Sequence, residues 1–301
     1  MGKVDSIISA VRDGNIKSTQ MLFVKRTRTT YITYSPNMDE TLRSELLDLI
    51  IENLSKKSET LDGEITYNPC KSLHGKLSLC SHDYVGNYNE FVESLTNPLE
   101  ELNTDDAGNL SFYCFICTIE YKGDTKAYYF IRRLLNYKTL QKRGFLGISV
   151  GNKYTKIDRA VLGIDSTIDL ICTESEIIIL SHSSVEKVFR LNEALTAKAD
   201  QILEYLKQSN KIENYDTFYG DCQTLAIKKR LAILSENQDL LNKVVQNIDA
   251  INQVIKSRGL GIQIKDGKLI YGGKQHLLDL LRILQDVFYT SEITRRKGVD
   301  E

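Results

Sequence analysis

Apolar residues along this chain follow two different periods, and each period predicts a different kind of element. From Leu110 to Glu120 the run LSFYCFICTIE is almost continuously apolar, the pattern of a strand covered on both faces. The residues Tyr121-Lys122-Gly123-Asp124 then predict a turn, and Thr125–Ile131 returns antiparallel to it. Met21–Tyr34, rich in Thr, Tyr, Val and Ile, predicts one or two further strands. A strand is also expected near Phe145–Val150. The helical period appears at Val4–Arg12 and again at Asp39–Lys57, where Leu42, Leu46, Leu49, Ile50 and Leu54 lie at helical spacing. Tyr67–Asn89 has no clear period and reads as a long loop.

Past Leu162 the pattern changes to short strands and long helices. IDLIC and EIIIL predict two short buried strands. Ser183 and Glu186 have the spacing of a capping box, opening a helix whose face is Val188, Leu191, Leu195, Ala199, Ile202 and Leu206. Helices resume over 221–258, with Ile227, Leu231, Leu234, Leu241, Val245, Ile248 and Ile255 at heptad-like spacing and a possible break at SENQ. That face can bury against the chain's own core or pair with a second subunit. Gly259 suits a helix stop. GIQIKDGKLIY predicts a hairpin around Asp266-Gly267, and a last helix carries Leu277, Leu281, Leu284 and Phe288. The expected class is α+β: a mixed, largely antiparallel sheet in the N-terminal half, then short strands, long helices and a β-hairpin. The expected parts are 1–160 and 161–301.

Composition changes this picture little. The chain has 301 residues, 42% hydrophobic and 26% charged, which suits a folded protein of one large or two ordinary domains. No apolar run approaches the roughly 20 residues that cross a bilayer. MGKVDS fits the myristoylation pattern, but six residues do so easily by chance. Six scattered cysteines and no export signal predict reduced thiols and a cytoplasmic protein.

Candidate chemistry is thin. None of the four histidines lies in a nucleophile or metalloprotease motif, and there is no Walker sequence. Gly144, Gly147 and Gly151 are spaced wrongly for a dinucleotide fingerprint. Cys70, His74, Cys80 and His82 have zinc-ligand chemistry, but their spacing matches no common structural zinc pattern. Cys114 and Cys117 fall within one strand, three residues apart, and so face opposite sides. Neither a cofactor nor a metal is expected. One enzyme reading is a Mg²⁺-dependent nuclease of restriction-endonuclease type, with Glu120-Tyr121-Lys122 at the end of the strongest strand and Asp105 and Asp106 upstream. Two other acid-x-Lys triplets, Asp124/Lys126 and Asp266/Lys268, occur elsewhere. Composition alone produces about as many.

Charge is more informative. Net charge is −1 over the whole chain, yet 122–159 holds ten cations against Asp124 and Asp158. Lys122, Lys126, Arg132, Arg133, Lys138, Lys142, Arg143, Lys153 and Lys156 are therefore the candidate DNA-binding residues. Tyr128, Tyr129, Phe130 and Tyr137 are interleaved with them, available for stacking or for the core. The alternative is a solvated rim beside a sheet, or a surface that meets anionic lipid or an acidic protein.

The run VLGIDSTIDLIC followed by EIIILSHSSVEKVFRLNE resembles the core of the KwaB family, the soluble subunit of the two-gene Kiwa anti-phage system. IQIKDGKLIYGGKQHLLDLLRILQDVFYTSEIT resembles the same family's closing hairpin and helix. The resemblance covers 145–294, with MLFVKR and YSPN as further points of likeness. It implies a DNA-binding effector that restrains phage replication or transcription by occupying DNA without cutting it. It also implies a homodimer, and a KwaA-like membrane protein as partner that would bring it to the periphery of the inner membrane. No catalytic residues follow from it.

Overall fold

The computed structural model describes residues 2–73, 75–99, 109–134, 147–151, 153–157, 162–291, 294 and 296–299. The chain forms two compact units, one of Met1–Asn68 with Ser72–Arg190, the other of Pro69–Lys71 with Leu191–Glu301.

The first unit is built on one large sheet. Its strands are β1 (Asn15–Arg26), β2 (Tyr31–Tyr34), β3 (Glu64–Thr66), β4 (Leu77–Cys80), β5 (Phe112–Tyr121), β6 (Asp124–Arg133), β9 (Leu170–Cys172) and β10 (Ile177–Ile179). A separate two-stranded ribbon pairs β7 (Gly147–Val150) with β8 (Lys153–Lys156). The sheet order is β2-β1-β5-β6-β9-β10-β4-β3. Every pairing in it is antiparallel except that of β3 with β4. This is the mixed, largely antiparallel sheet that the apolar pattern predicts. β5 is central, as its continuous apolar run requires.

Both faces of the sheet are covered. Alternate residues Tyr113, Phe115, Cys117 and Ile119 of β5 and Tyr128 and Phe130 of β6 face the helices Lys3–Asp13 and Glu40–Ser58, which contribute Val4, Ile7, Ile50 and Leu54 to one core. On the other face Tyr31 and Phe112 meet Phe91, from the helix Tyr88–Thr96, with ring centroids 5.5 and 6.0 Å from it. Phe189 closes on Phe91 edge-to-face at 5.3 Å, a geometry worth about 1 kcal/mol beyond the area it buries.

Two local expectations fail. Part of the presumed loop 67–89 is β4, whose Ser78, Leu79 and Cys80 pair with β10. That partner lies about a hundred residues on, so no local period announces it. The helix expected to run from Ser183 to Leu206 is two helices, His182–Val188 and Leu191–Ser209. The first starts after Ser181, whose side chain makes no capping bond, and there is no capping box at Ser183. Arg190 interrupts them in the left-handed conformation, φ 54°. Tertiary contacts hold it there: its guanidinium lies 5.1 Å from the Tyr31 ring centroid and donates to the Thr30 carbonyl at 3.0 Å. The two compact units divide directly after this residue, because β9 and β10 complete the large sheet.

In the second unit the helical stretch is Leu225–Leu234, Gln238–Gln246 and Ile248–Arg258, broken at SENQ as expected and again at Asn247. Asn237 and Asn247 restart it, their side chains accepting from Leu240 N and Ala250 N. Gly259 ends the last helix at φ 65°. Leu231, Leu234, Leu241, Val245 and Ile255 of the heptad-like face are buried in this unit's own core. Gln263–Lys265 and Lys268–Ile270 form the expected hairpin about Asp266-Gly267, and Ile212–Glu213 lies parallel to its second strand. The final helix, Lys274–Leu284, stops before Phe288, which opens a short strand pair.

Candidate nucleic-acid interface

The expected basic residues begin at the β5–β6 turn. Tyr121 pairs with Asp124 across Lys122 and Gly123, both at positive φ, 53° and 88°. This is a two-residue hairpin turn that matches strand twist. Lys122 Nζ lies 4.9 Å and Lys126 Nζ 5.9 Å from the Tyr121 ring centroid. Arg132 and Arg133 sit at the far end of β6, roughly 30 Å away at strand rise. The hairpin therefore separates its basic residues into two groups.

Arg132 is only partly exposed and is held by carboxylates. Its Nε and one terminal nitrogen donate to the two Asp165 carboxylate oxygens, each at 3.1 Å, and the other terminal nitrogen donates to Asp169 Oδ1 at 2.9 Å. Asp169 is 4% exposed, and its second oxygen accepts from Arg133 N at 3.0 Å. The backbone fixes Asp169 as well: its N donates to Ile131 O, while its carbonyl accepts from Leu180 N and Ser181 N. Asp165 accepts from Thr167 N, and the Tyr113 hydroxyl donates to its carbonyl at 2.5 Å. Burial works against the Arg132 charge, but Asp165 and Asp169 more than offset it and hold its pKa above the ordinary value. Arg132 ties β6 to the segment that leads into β9. The sequence treats it as one charge of a basic run, since its acidic partners lie more than thirty residues away.

Arg133 points to the other side of the sheet, and this end collects cations that the sequence keeps apart. Arg26 N donates to Ser111 Oγ at 3.1 Å, and Leu134 N donates to Ser111 O at 3.2 Å. The ends of β1 and β6 thus meet across the start of β5. Register puts Arg26 and Arg133 on one face, with Cα atoms roughly 12 Å apart by strand spacing. Arg26 also donates to the Lys187 carbonyl. Lys25 lies on β1 facing away from Arg26, Arg28 lies in the β1–β2 turn, and Arg190 reaches Thr30 of that turn. Arg28 and Lys187 are exposed. The signal in the sequence is KRTR at 25–28, which lies outside the basic segment weighed there.

The other expected residues do not join this group visibly. Lys153 and Lys156 are exposed on β8, three positions apart, and so project from opposite faces of the ribbon. Lys138, Lys142 and Arg143 lie outside the described residues, as do Tyr137, Asp105, Asp106 and His74.

The nuclease constellation is not gathered among the described residues. Glu120 is exposed and paired with Lys17, whose hydrogen bond and charge lower its pKa. Lys122 is held in the turn instead. No group of three or more His, Cys, Asp or Glu side chains able to hold a metal occurs among the described residues. Of the zinc candidates, Cys80 is buried in β4 and burial pushes its thiol up to about 12, while the His82 ring stacks on Tyr88 at 3.7 Å. Cys114 and Cys117 are both fully buried, on opposite faces of β5. Ser78 Oγ lies 2.8 Å from His182 Nε2, but Ser78 is completely buried. No substrate reaches that pair, and it serves to fasten β4 to the helix His182–Val188.

Among the described residues no helix is long and apolar enough to cross a membrane. No curated protein and no solved structure matches the chain. A family model described as Kiwa protein KwaB-like matches residues 109–294, from the start of β5 to beyond the final helix. That span exceeds half of the chain and contains both the Arg132 ion-pair cluster and the hairpin about Asp266-Gly267, so the chain belongs to the KwaB-like family and is a component of Kiwa anti-phage defence.

Proposed function

We propose that this protein binds DNA non-specifically through the basic end of its large sheet, and that it defends by occupying phage DNA without cutting it. The observation that carries the reading is the meeting of Arg26, Arg28, Arg133, Lys187 and Arg190, drawn from three sequence segments, at one end of one unit. Arginine and lysine side chains at the rim of a rigid sheet supply phosphate contacts without base readout. In this reading a homodimer would double the contacts, and a KwaA-like membrane protein would bring the complex to the inner membrane.

Fluorescence anisotropy with a random-sequence duplex tests the reading. Five phosphate contacts imply an affinity loss of about 2.7 decades between roughly 50 and 200 mM salt. The double variant Arg28→Glu, Lys187→Glu should weaken binding by about tenfold or more with an unchanged melting temperature, since both side chains are exposed. A flat salt response, or full affinity in the double variant, removes this end of the sheet as the DNA site. Supercoiled plasmid incubated with Mg²⁺ should stay supercoiled. Nicking would favour the nuclease instead.

A further inference from the structure

At the opposite end of β6 the first unit carries a cleft of about 350 Å³ between the start of the helix Lys3–Asp13, the strand β6 and the turn joining β9 to β10. Tyr128, which lines it, is separated from Arg133 by five residues of strand, roughly 17 Å, so the cleft is distinct from the basic end. Its size is that of a small-molecule site.

The walls are apolar and the rim is charged. Ile7, Ile178 and the Tyr128 ring form the apolar part. Four charged side chains line the opening, of which Lys3 and Glu176 neutralise each other in an ion pair. Lys126 and Glu174 remain. Neither has an ion-pair partner among the described residues, and the Lys126 ammonium meets only the Tyr121 ring, 5.9 Å from its centroid. The turn that carries Glu174 is fixed, because Thr173 Oγ1 accepts from Ser175 N and Glu176 N at 3.3 and 3.2 Å. Tyr128 is only 7% exposed, yet its hydroxyl has no hydrogen-bond partner among the described residues. The hydroxyl keeps contact with solvent, so it is available to a ligand where Tyr128 lines the cleft.

One unpaired cation, one unpaired anion, one unpartnered hydroxyl and an apolar wall define the complement. A simple anion would meet Glu174 and Glu176, and a simple cation would meet Lys126 and Lys3. Only a ligand that carries both charges uses both free groups. We propose that this cleft binds a small zwitterion with an apolar body, in chemical terms a free amino acid with an aliphatic or aromatic side chain. Its carboxylate pairs with Lys126, its ammonium with Glu174, and its side chain packs on Ile7, Ile178 and the Tyr128 ring.

Titration calorimetry of the full chain with four probes tests this: L-leucine, L-phenylalanine, phenylacetate and phenethylamine. At least one of the two amino acids should bind saturably at millimolar concentration or below. Both half-analogues should bind about tenfold or more weakly, because each leaves one charged group of the site unpaired. Lys126→Gln should weaken the amino acid about tenfold and leave phenethylamine unaffected, and Glu174→Gln should do the reverse for phenylacetate. Tyr128→Phe keeps the ring and removes only the hydroxyl, so a folded variant should bind a few-fold more weakly. Circular dichroism establishes that each variant is folded. Absence of saturable binding by both amino acids overturns the proposal. Equal affinity for phenylacetate and phenylalanine, the behaviour of a plain anion site, overturns it too.

Discussion

The two ends of β6 carry side chains of the same charge in different surroundings. At the turn end Lys122 and Lys126 lie beside the Tyr121 ring, with no carboxylate paired to either among the described residues. At the other end Arg132 is clamped by Asp165 and Asp169, while its neighbour Arg133 faces away and joins cations from β1 and from the segment after β10. Counted along the sequence, all four are equal contributors to one basic stretch. In the fold, Arg132 is a fastener, Arg133 belongs to a surface, and the two lysines belong elsewhere. A run of like charge therefore does not identify a binding face. What stands opposite each charge decides its role.

The strongest way to break this contrast is Arg132→Gln. It leaves two carboxylates facing each other, one of them buried, so unfolding free energy should fall by about 3 kcal/mol. Urea denaturation measures it, and an unchanged midpoint would mean that the clamp does not stabilise the fold. Next in size is the difference between Arg133→Glu and Lys122→Glu. The first should weaken DNA binding about fivefold, near 1 kcal/mol, with little loss of stability. The second, roughly 30 Å away, should leave binding unchanged in the same anisotropy assay. Equal losses would show that the whole hairpin contacts DNA.

A smaller effect is expected at the turn itself. Lys122 has φ 53°, a conformation that asparagine tolerates better. Lys122→Asn should therefore stabilise the hairpin by about 0.5 kcal/mol, read as a slightly higher melting temperature. The smallest effect is that of Glu120→Gln, whose only ion-pair partner among the described residues is the exposed Lys17. Neither stability nor protection of cells against phage should change measurably. Lost protection with a folded variant would return Glu120 to the catalytic reading.

Much of the fold is legible without coordinates where structure is local. The β5–β6 hairpin, the Asp266-Gly267 hairpin, the helix over 40–58 and the stop at Gly259 all follow from periods of two or 3.6 and from turn residues with positive φ. Strand β4 is not legible in this way, because LSLC is too short for a period and is held by β10. The break at Arg190 escapes as well. Nothing in VFRLNE forbids a helix, and the left-handed residue is held by Tyr31 and Thr30 from β2 and its turn.

The candidate surface divides along the same line. By itself the amino-acid sequence determined the class of fold, the central strand, the separation of Cys114 from Cys117 and the presence of a local positive charge. Each of these depends on residue type and on spacing within a few positions. Only the tertiary structure decided which cations meet. It clamped Arg132 between aspartates from beyond β6, brought Arg26 and Arg28 to the same sheet end as Arg133, and left Lys126 and Glu174 lining one cleft with Tyr128. The physical reason is that electrostatic fate depends on distance through space and on solvent exposure. In a sheet whose neighbouring strands come from all over the chain, neither can be read from position in the sequence.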